Sequence, residues 1–240
     1  MTHKDMDRVV VYMATRNVYK AIIPSLKSLL EHTKVDKVYL LIEDDTFPYD
    51  VPDVCEVINV SGQQWFTDDS PNYRRKWSYM VLLRVVLSQI LPDVDQVLSI
   101  DVDTLVVDDI SELLDIDLAD NFYAATREPP TKRKHGFYPI YHNFGILLLN
   151  LKLFRETGLD IEAAKLLQTK EFEFCEQDCL AFMLHGSRTI TLDSQYGYCQ
   201  WVVPTERPIK IIHYAGRLVD DWMQEPLVQA YMDKQWRLVE

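Results

Sequence analysis

Short apolar, β-branched runs, each followed by a stretch with helical spacing, constrain this chain more than any other feature. Residues 8–15, Arg-Val-Val-Val-Tyr-Met-Ala-Thr, have the makeup of a strand buried on both faces. Residues 22–32 follow, with Ile22, Leu26, Leu29 and Leu30 on one helical stripe. Residues 37–42 give a second apolar strand and residues 55–60 a third. The spacing then predicts a helix over 73–90, stopped at Pro92, and a buried strand over 96–100 that ends on Asp101. This alternation predicts an α/β fold with a mixed, mostly parallel central sheet flanked by helices. Beyond Asp101 the pattern loosens. Residues 122–125, 146–149 and 209–213 read as strands, and residues 159–167, 177–184 and 227–236 as helices. No linker-like stretch divides the chain, so residues 1–240 are expected to form a single domain.

The charge balance narrows the partners. With 37 acidic against 25 basic residues, the formal charge is −12, which argues against a general nucleic-acid or anionic-membrane binder. Apolar residues make up 48% of the chain, ample for a packed core. Cys55, Cys175, Cys179 and Cys199 form no C-x-x-C pair, so neither a disulfide framework nor a zinc knuckle is expected. The polar, acidic start is unlike a secretory signal, and no apolar run approaches the roughly 20 residues of a membrane span. The expectation is a soluble, cytoplasmic protein. Trp77, Phe154, Phe182 and Met183 read as core, and Cys175 and Cys179, one helical turn apart, as buried free thiols. The basic run Lys132-Arg133-Lys134 reads as a solvated loop or, alternatively, part of a lid over a binding site.

The chemistry concentrates where the strand over 96–100 ends. Open α/β sheets bind ligands outside the carboxyl ends of their strands, and residues i and i+2 of an extended chain face one side. Asp101 and Asp103 therefore make a binding pair for a hard divalent cation. The same Asp-x-Asp spacing recurs at 5/7, 93/95 and 115/117; only at 101/103 is it set between apolar runs, where buried acids need a counter-charge. A second strand end, Ile211-Ile212-His213-Tyr214-Ala215-Gly216-Arg217, offers an imidazole, a glycine and a guanidinium. His213 is either a capped structural histidine or a third ligand. In the second case the mixed N/O set suits Mn²⁺, with Mg²⁺ as the alternative. Gly216 allows close approach of backbone to an anion, which Arg217 can clamp.

Taken in order, these markers resemble the retaining nucleotide-sugar glycosyltransferases of family 8, the glycogenin and bacterial lipooligosaccharide galactosyltransferase group. The likeness runs from about Val9 to Trp222. It is carried by Ala14-Thr15 with Asn17 and Tyr19, by Arg84 eight residues before Pro92, and by Leu98-Ser99-Ile100-Asp101-Val102-Asp103-Thr104. Asn143-Phe144-Gly145, Glu176-Gln177-Asp178 and His213-Tyr214-Ala215-Gly216 complete it. The resemblance implies a GT-A fold, Mn²⁺ on Asp101, Asp103 and His213, and a UDP-sugar donor. Residues 8–107 would then be the nucleotide-sugar part, 108–222 the acceptor and catalytic part, and 223–240 a closing helical segment.

Carried over position by position, the resemblance puts Ala14, Thr15, Asn17 and Tyr19 around the nucleoside, with Tyr19 stacking on uracil. Val102 and Arg84 would contact the donor, Asn143 and Phe144 would border the transferred sugar, and Gly216 and Arg217 would meet the diphosphate. Glu128 and Glu176 stand where the family has aspartates near the sugar, and Gln177 stands beside the anomeric carbon. Retention would follow from front-face attack, with Gln177 stabilising the oxocarbenium-like state.

The chain departs from the family pattern in places. Arg16 occupies the place of an aspartate, Arg217 to Trp222 replace Lys-Pro-Trp, and Phe144 is bulkier than the usual alanine or serine. The acceptor stays open among a glycan, a lipid head group, a protein and a phage component. Two other readings follow from the same residues: a sugar-nucleotide-binding pseudoenzyme, and a haloacid dehalogenase-type phosphatase. The latter needs a threonine where Leu105 stands.

Overall fold

Alternate residues of the first strand, β1 (Val9–Met13), enter different cores: Val9 and Val11 one apolar cluster, Val10 and Tyr12 another. Two-sided burial puts β1 inside the sheet and explains its unbroken apolar sequence. A computed structural model of the chain describes residues 7–73, 77–129 and 138–239. A 3-10 turn, Arg16–Val18, leads from β1 into α1 (Tyr19–His32), and β2 (Lys37–Ile42) and β3 (Cys55–Asn59) follow. The 3-10 segment Tyr79–Val86 runs into α2 (Leu87–Ile90), then come β4 (Gln96–Ile100), β5 (Thr104–Val106) and α3 (Ser111–Leu114). Next are β6 (Tyr123–Arg127), β7 (His142–Asn150), α4 (Leu151–Thr157), α5 (Leu159–Thr169) and α6 (Cys175–Leu184). The chain closes with β8 (Thr189–Leu192), β9 (Tyr196–Tyr198), β10 (Ile211–His213), α7 (Val219–Trp222) and α8 (Pro226–Asp233).

The main sheet has the order β3-β2-β1-β4-β7-β6-β8. All its pairings are parallel except those of β7, which runs against both β4 and β6. It is the mixed, mostly parallel sheet that the sequence predicts. A smaller sheet, β5-β10-β9, stands beside it and joins the segment after Asp103 to the segment before Tyr214. α1 packs over β5, where the Val106 N–H donates to Ser28 Oγ at 2.9 Å.

Several expectations are corrected. The helix expected over 73–90 is a 3-10 segment from Tyr79, and residues 74–76 lie outside the described residues. Its tight winding buries Tyr79, Met80, Leu82, Leu83, Arg84, Val85 and Val86, leaving no clean polar face. The strand expected over 146–149 is longer: β7 begins at His142 and takes in Asn143, Phe144 and Gly145. The signal was masked by a bulge, since Ala125 faces Leu147 whereas the next residue, Thr126, faces Asn143. Phe154 is core, but Phe182 is exposed, with the Lys170 ammonium 3.8 Å from its ring centroid. Cys175 and Cys179 are buried free thiols. The run Lys132-Arg133-Lys134 lies outside the described residues.

Candidate active site

Strand pairing brings the two acids and the distant histidine together. β10 runs antiparallel to β5 with His213 opposite Thr104, and the Tyr214 N–H donates to the Asp103 carbonyl at 2.8 Å. On the other side the Asp101 N–H donates to the Gly145 carbonyl at 2.8 Å, tying the loop after β4 to β7. Thr104 Oγ1 donates to the Asp101 carbonyl at 2.8 Å and closes the turn between the acids. As a result His213 Nε2 lies 3.3 Å from Asp103 Oδ1 and 3.7 Å from Asp101 Oδ2. One ligand atom from each of Asp101, Asp103 and His213 falls within 4.8 Å of the others. The imidazole occupies the space a side chain at 145 would need: a Cβ on Gly145 would stand 2.0 Å from His213 Cε1.

The electrostatics are those of a cluster short of positive charge. Burial disfavours the imidazolium, yet the Asp103 carboxylate outweighs it and holds the His213 pKa well above its usual value. Burial also opposes ionisation of Asp103, but the facing imidazolium pulls its pKa below the ordinary range. Asp101 goes the other way: burial raises its pKa, and Arg84 and His213 only partly offset this. The carboxylates keep 31% and 21% exposure while the imidazole has 4%, so an ion reaches this cluster from the acid side.

Arg84, from the 3-10 segment, links the acids to α6. It is buried, pairs with Asp101, and donates from Nη1 to Glu176 Oε1 at 2.7 Å. Burial is the main influence on Glu176 and pushes its pKa up to about 7, with Arg84 opposing. The next residue, Gln177, accepts the Phe144 N–H at 3.1 Å. Asn143 donates from Nδ2 to Glu128 Oε1 at 2.9 Å and accepts the Gly145 N–H at 3.1 Å. Asp178, one position on, accepts Tyr141 Oη at 2.5 Å and the Phe174 N–H at 2.9 Å.

These groups border a cavity of about 660 Å³, in the range of small-molecule sites. Of the residues singled out from sequence, Asp101, Val102, Asp103 and His213 line it, as do Ala14 and Arg84. So do Asn143, Phe144, Glu176 and Gln177, together with Gly216 and Arg217. Thr15, Asn17, Tyr19 and Glu128 do not. Tyr19 is buried, packs its ring 5.7 Å from Phe47, and ties its hydroxyl to Asp44 at 3.0 Å and the Glu43 N–H at 2.7 Å. That burial leaves no ring face for a base, and Val18, one residue earlier, lines the cavity instead. Arg16 forks onto the Asp44 carboxylate at 2.9 Å.

The walls also hold aromatic residues that the spacing did not reveal. Trp77, expected in the core, lines the cavity and pairs with Phe174 at 5.3 Å, because the helix that would have turned it inward is absent. Trp201 and Trp222 line it too. Gly216 has φ of +78°, and a Cβ there would stand 3.4 Å from Trp201 Nε1. Arg217 pairs with Glu225 at 2.7 Å.

Comparison with known proteins agrees with this geometry. A family model described as glycosyl transferase family 8 matches residues 9–218. The chain is 26% identical over 212 residues to the glycosyltransferase GlyE of Streptococcus pneumoniae serotype 4 (strain ATCC BAA-334 / TIGR4), an alignment covering 81% of this chain and 48% of GlyE. The chain therefore spans about half the length of that relative. Its fold is similar to the crystal structure of GlyE, with a TM-score of 0.68, 20% identity, and coverage of 97% of this chain and 62% of that one. It is also similar to the galactosyltransferase LgtC in complex with donor and acceptor sugar analogues, with a TM-score of 0.65, 21% identity and 87% coverage of each chain.

Proposed function

The chain belongs to glycosyl transferase family 8, and from that premise we propose that it moves a hexose, glucose or galactose, from a UDP-sugar to an acceptor hydroxyl with retention at the anomeric carbon. The observation that carries this reading is the convergence of Asp101, Asp103 and His213 on one side of a nucleotide-sized cavity. Two carboxylate oxygens and an imidazole nitrogen, with ligand atoms within 4.8 Å of one another, are a donor set that fits Mn²⁺. When bound, such an ion supplies positive charge to a departing diphosphate.

The chain's own residues take the remaining tasks. Ala14 and Val18 border the nucleoside end, and Thr15 and Asn17, hydrogen-bonded to each other, lie between them in sequence. Gly216 lets backbone approach the phosphates and Arg217 donates to them. Arg84 orients the sugar. The carboxylates singled out on and beside α6 are engaged: Glu176 by Arg84, Asp178 by Tyr141 and the Phe174 N–H, and Glu128 through Oε1 by Asn143. This supports front-face attack, in which the leaving phosphate oxygen accepts the acceptor's proton. Residues 1–240 act as one domain, supported by a main sheet that takes strands from both parts of the chain. The acceptor is a glycan, lipid head group, protein or phage component. Among the described residues no helix is long and apolar enough to cross a membrane.

A panel of UDP-sugars, with and without Mn²⁺, tests the reading. Release of UDP and hexose from UDP-glucose or UDP-galactose, lost on chelation, is expected; release independent of metal contradicts it. The departures at Arg16, which is tied to Asp44, and at Arg217 to Trp222 support one alternative, donor binding without transfer, and saturable UDP-sugar binding with no release would establish that.

A further inference from the structure

The small sheet brings a second side chain to His213, on the side away from the acids. β9 and β10 run parallel with Tyr198 opposite Ile212, so the next residues, Cys199 and His213, leave the two strands as neighbours. Alternation along a strand puts both on the inner face, and both are buried whereas Tyr198 is exposed. Nε2 of the imidazole faces Asp103 and Asp101 at 3.3 and 3.7 Å, which leaves Nδ1 for the Cys199 side. Nδ1 is buried and meets no oxygen or nitrogen acceptor among the described residues. A side-chain hydrogen bond to the Cys199 thiol follows burial and Asp103 among the influences on the imidazole. Cys199 is a free thiol in an apolar cluster with Val202 and Ala215, edged by Trp201, and it does not line the cavity.

A histidine that holds an ion through Nε2 carries its proton on Nδ1, and a buried N–H needs an acceptor. Histidine ligands usually give that proton to a carboxylate, a backbone carbonyl or water. Here the neighbour is sulfur, a weaker acceptor set among apolar groups. We propose, resting on the metal-dependent reading above, that Cys199 is a positioning residue: its Sγ accepts the Nδ1–H of His213 and so holds Nε2 toward Asp101 and Asp103. Cys199 acts through the imidazole and not on substrate.

Cys199→Val and Cys199→Ser separate this role from packing, since valine keeps apolar bulk without an acceptor and serine keeps an acceptor. Mn²⁺ affinity, followed by electron paramagnetic resonance, is expected to fall by about 10–100-fold in Cys199→Val, the usual cost of losing a ligand's support. A smaller loss is expected in Cys199→Ser. Wild-type affinity in Cys199→Val overturns the proposal, and so does an equal loss in both variants, which would make Cys199 a packing residue. Nuclear magnetic resonance of the metal-free protein supplies a second readout, the Nδ1 proton of His213. It is expected to exchange slowly in the wild-type protein and in Cys199→Ser, and to broaden in Cys199→Val. Absence of that proton in the wild-type protein, or an identical signal in Cys199→Val, also overturns the proposal. If the wild-type protein binds no Mn²⁺, the metal reading fails instead, and the proton signal alone decides the role of Cys199.

Discussion

His213 and Gly145 are packed so closely that the imidazole fills the position of a missing side chain, with 2.0 Å between Cε1 and a Cβ built at 145. Gly145 is in strand β7 and is not among the positive-φ glycines, so close approach and not backbone freedom explains the residue. Gly145→Ala is expected to displace the imidazole and weaken Mn²⁺ binding by about 10–100-fold, the usual cost of disturbing a ligand's support. Titration of Mn²⁺ followed by electron paramagnetic resonance checks this; unchanged affinity contradicts it.

Arg84 is the only cation paired with Asp101 and Glu176 among the described ion pairs of Arg and Lys. Arg84→Met leaves Glu176 buried without its cation and Asp101 with His213 alone, and is expected to cost about 3–5 kcal/mol in urea unfolding. Glu176→Gln, which leaves Arg84 its Asp101 partner, is expected to cost less. Equal losses would refute this account of the triad.

Much of the frame was legible because burial writes itself into sequence. The apolar runs of β1, β2 and β4 announce strands buried on both faces, and Asp101 marks a strand's carboxyl end. Less was readable where tertiary contacts override local pattern. Arg84 sits in a segment apolar enough to suggest an α-helix, yet crowding on every side winds it as 3-10. The start of β7 at His142 was missed because Asn143 and Gly145 interrupt the apolar pattern where the strand bulges. The pairing of β5 with β10, which delivers His213, joins segments over a hundred positions apart and leaves no local trace.

His142 makes stability depend on acid. It is buried between Tyr123 and Thr191, and burial, followed by the nearby Arg127, lowers its pKa from 6.5 to about 4. Between those values the unfolded chain binds a proton that the folded chain does not. The stabilising contribution is therefore complete above pH 6.5 and lost as pH falls toward 4, amounting to about 3 kcal/mol. Relative to His142→Gln, the wild-type protein is expected to lose about 2–3 kcal/mol more between pH 7.5 and 4.5 in urea unfolding. Parallel losses would contradict it.

Arg217 has a competing anion in Glu225, 2.7 Å away on a half-exposed surface. Arg217→Ala is expected to weaken UDP binding by roughly 10-fold, the worth of a charge-assisted hydrogen bond. Glu225→Gln is expected to tighten it by less than about 1 kcal/mol, since exposed pairs contribute little. Calorimetry at low and high salt checks both, and both effects should shrink with added salt.

The central claim is that Asp101, Asp103 and His213 hold one divalent ion on which sugar transfer depends. Asp103→Asn, compared with wild type for Mn²⁺ binding and for Mn²⁺-dependent UDP release, tests it most directly. The account predicts a single saturable site in the wild-type protein, with binding and UDP release both abolished in the variant. A variant that still releases UDP at the wild-type rate would contradict it.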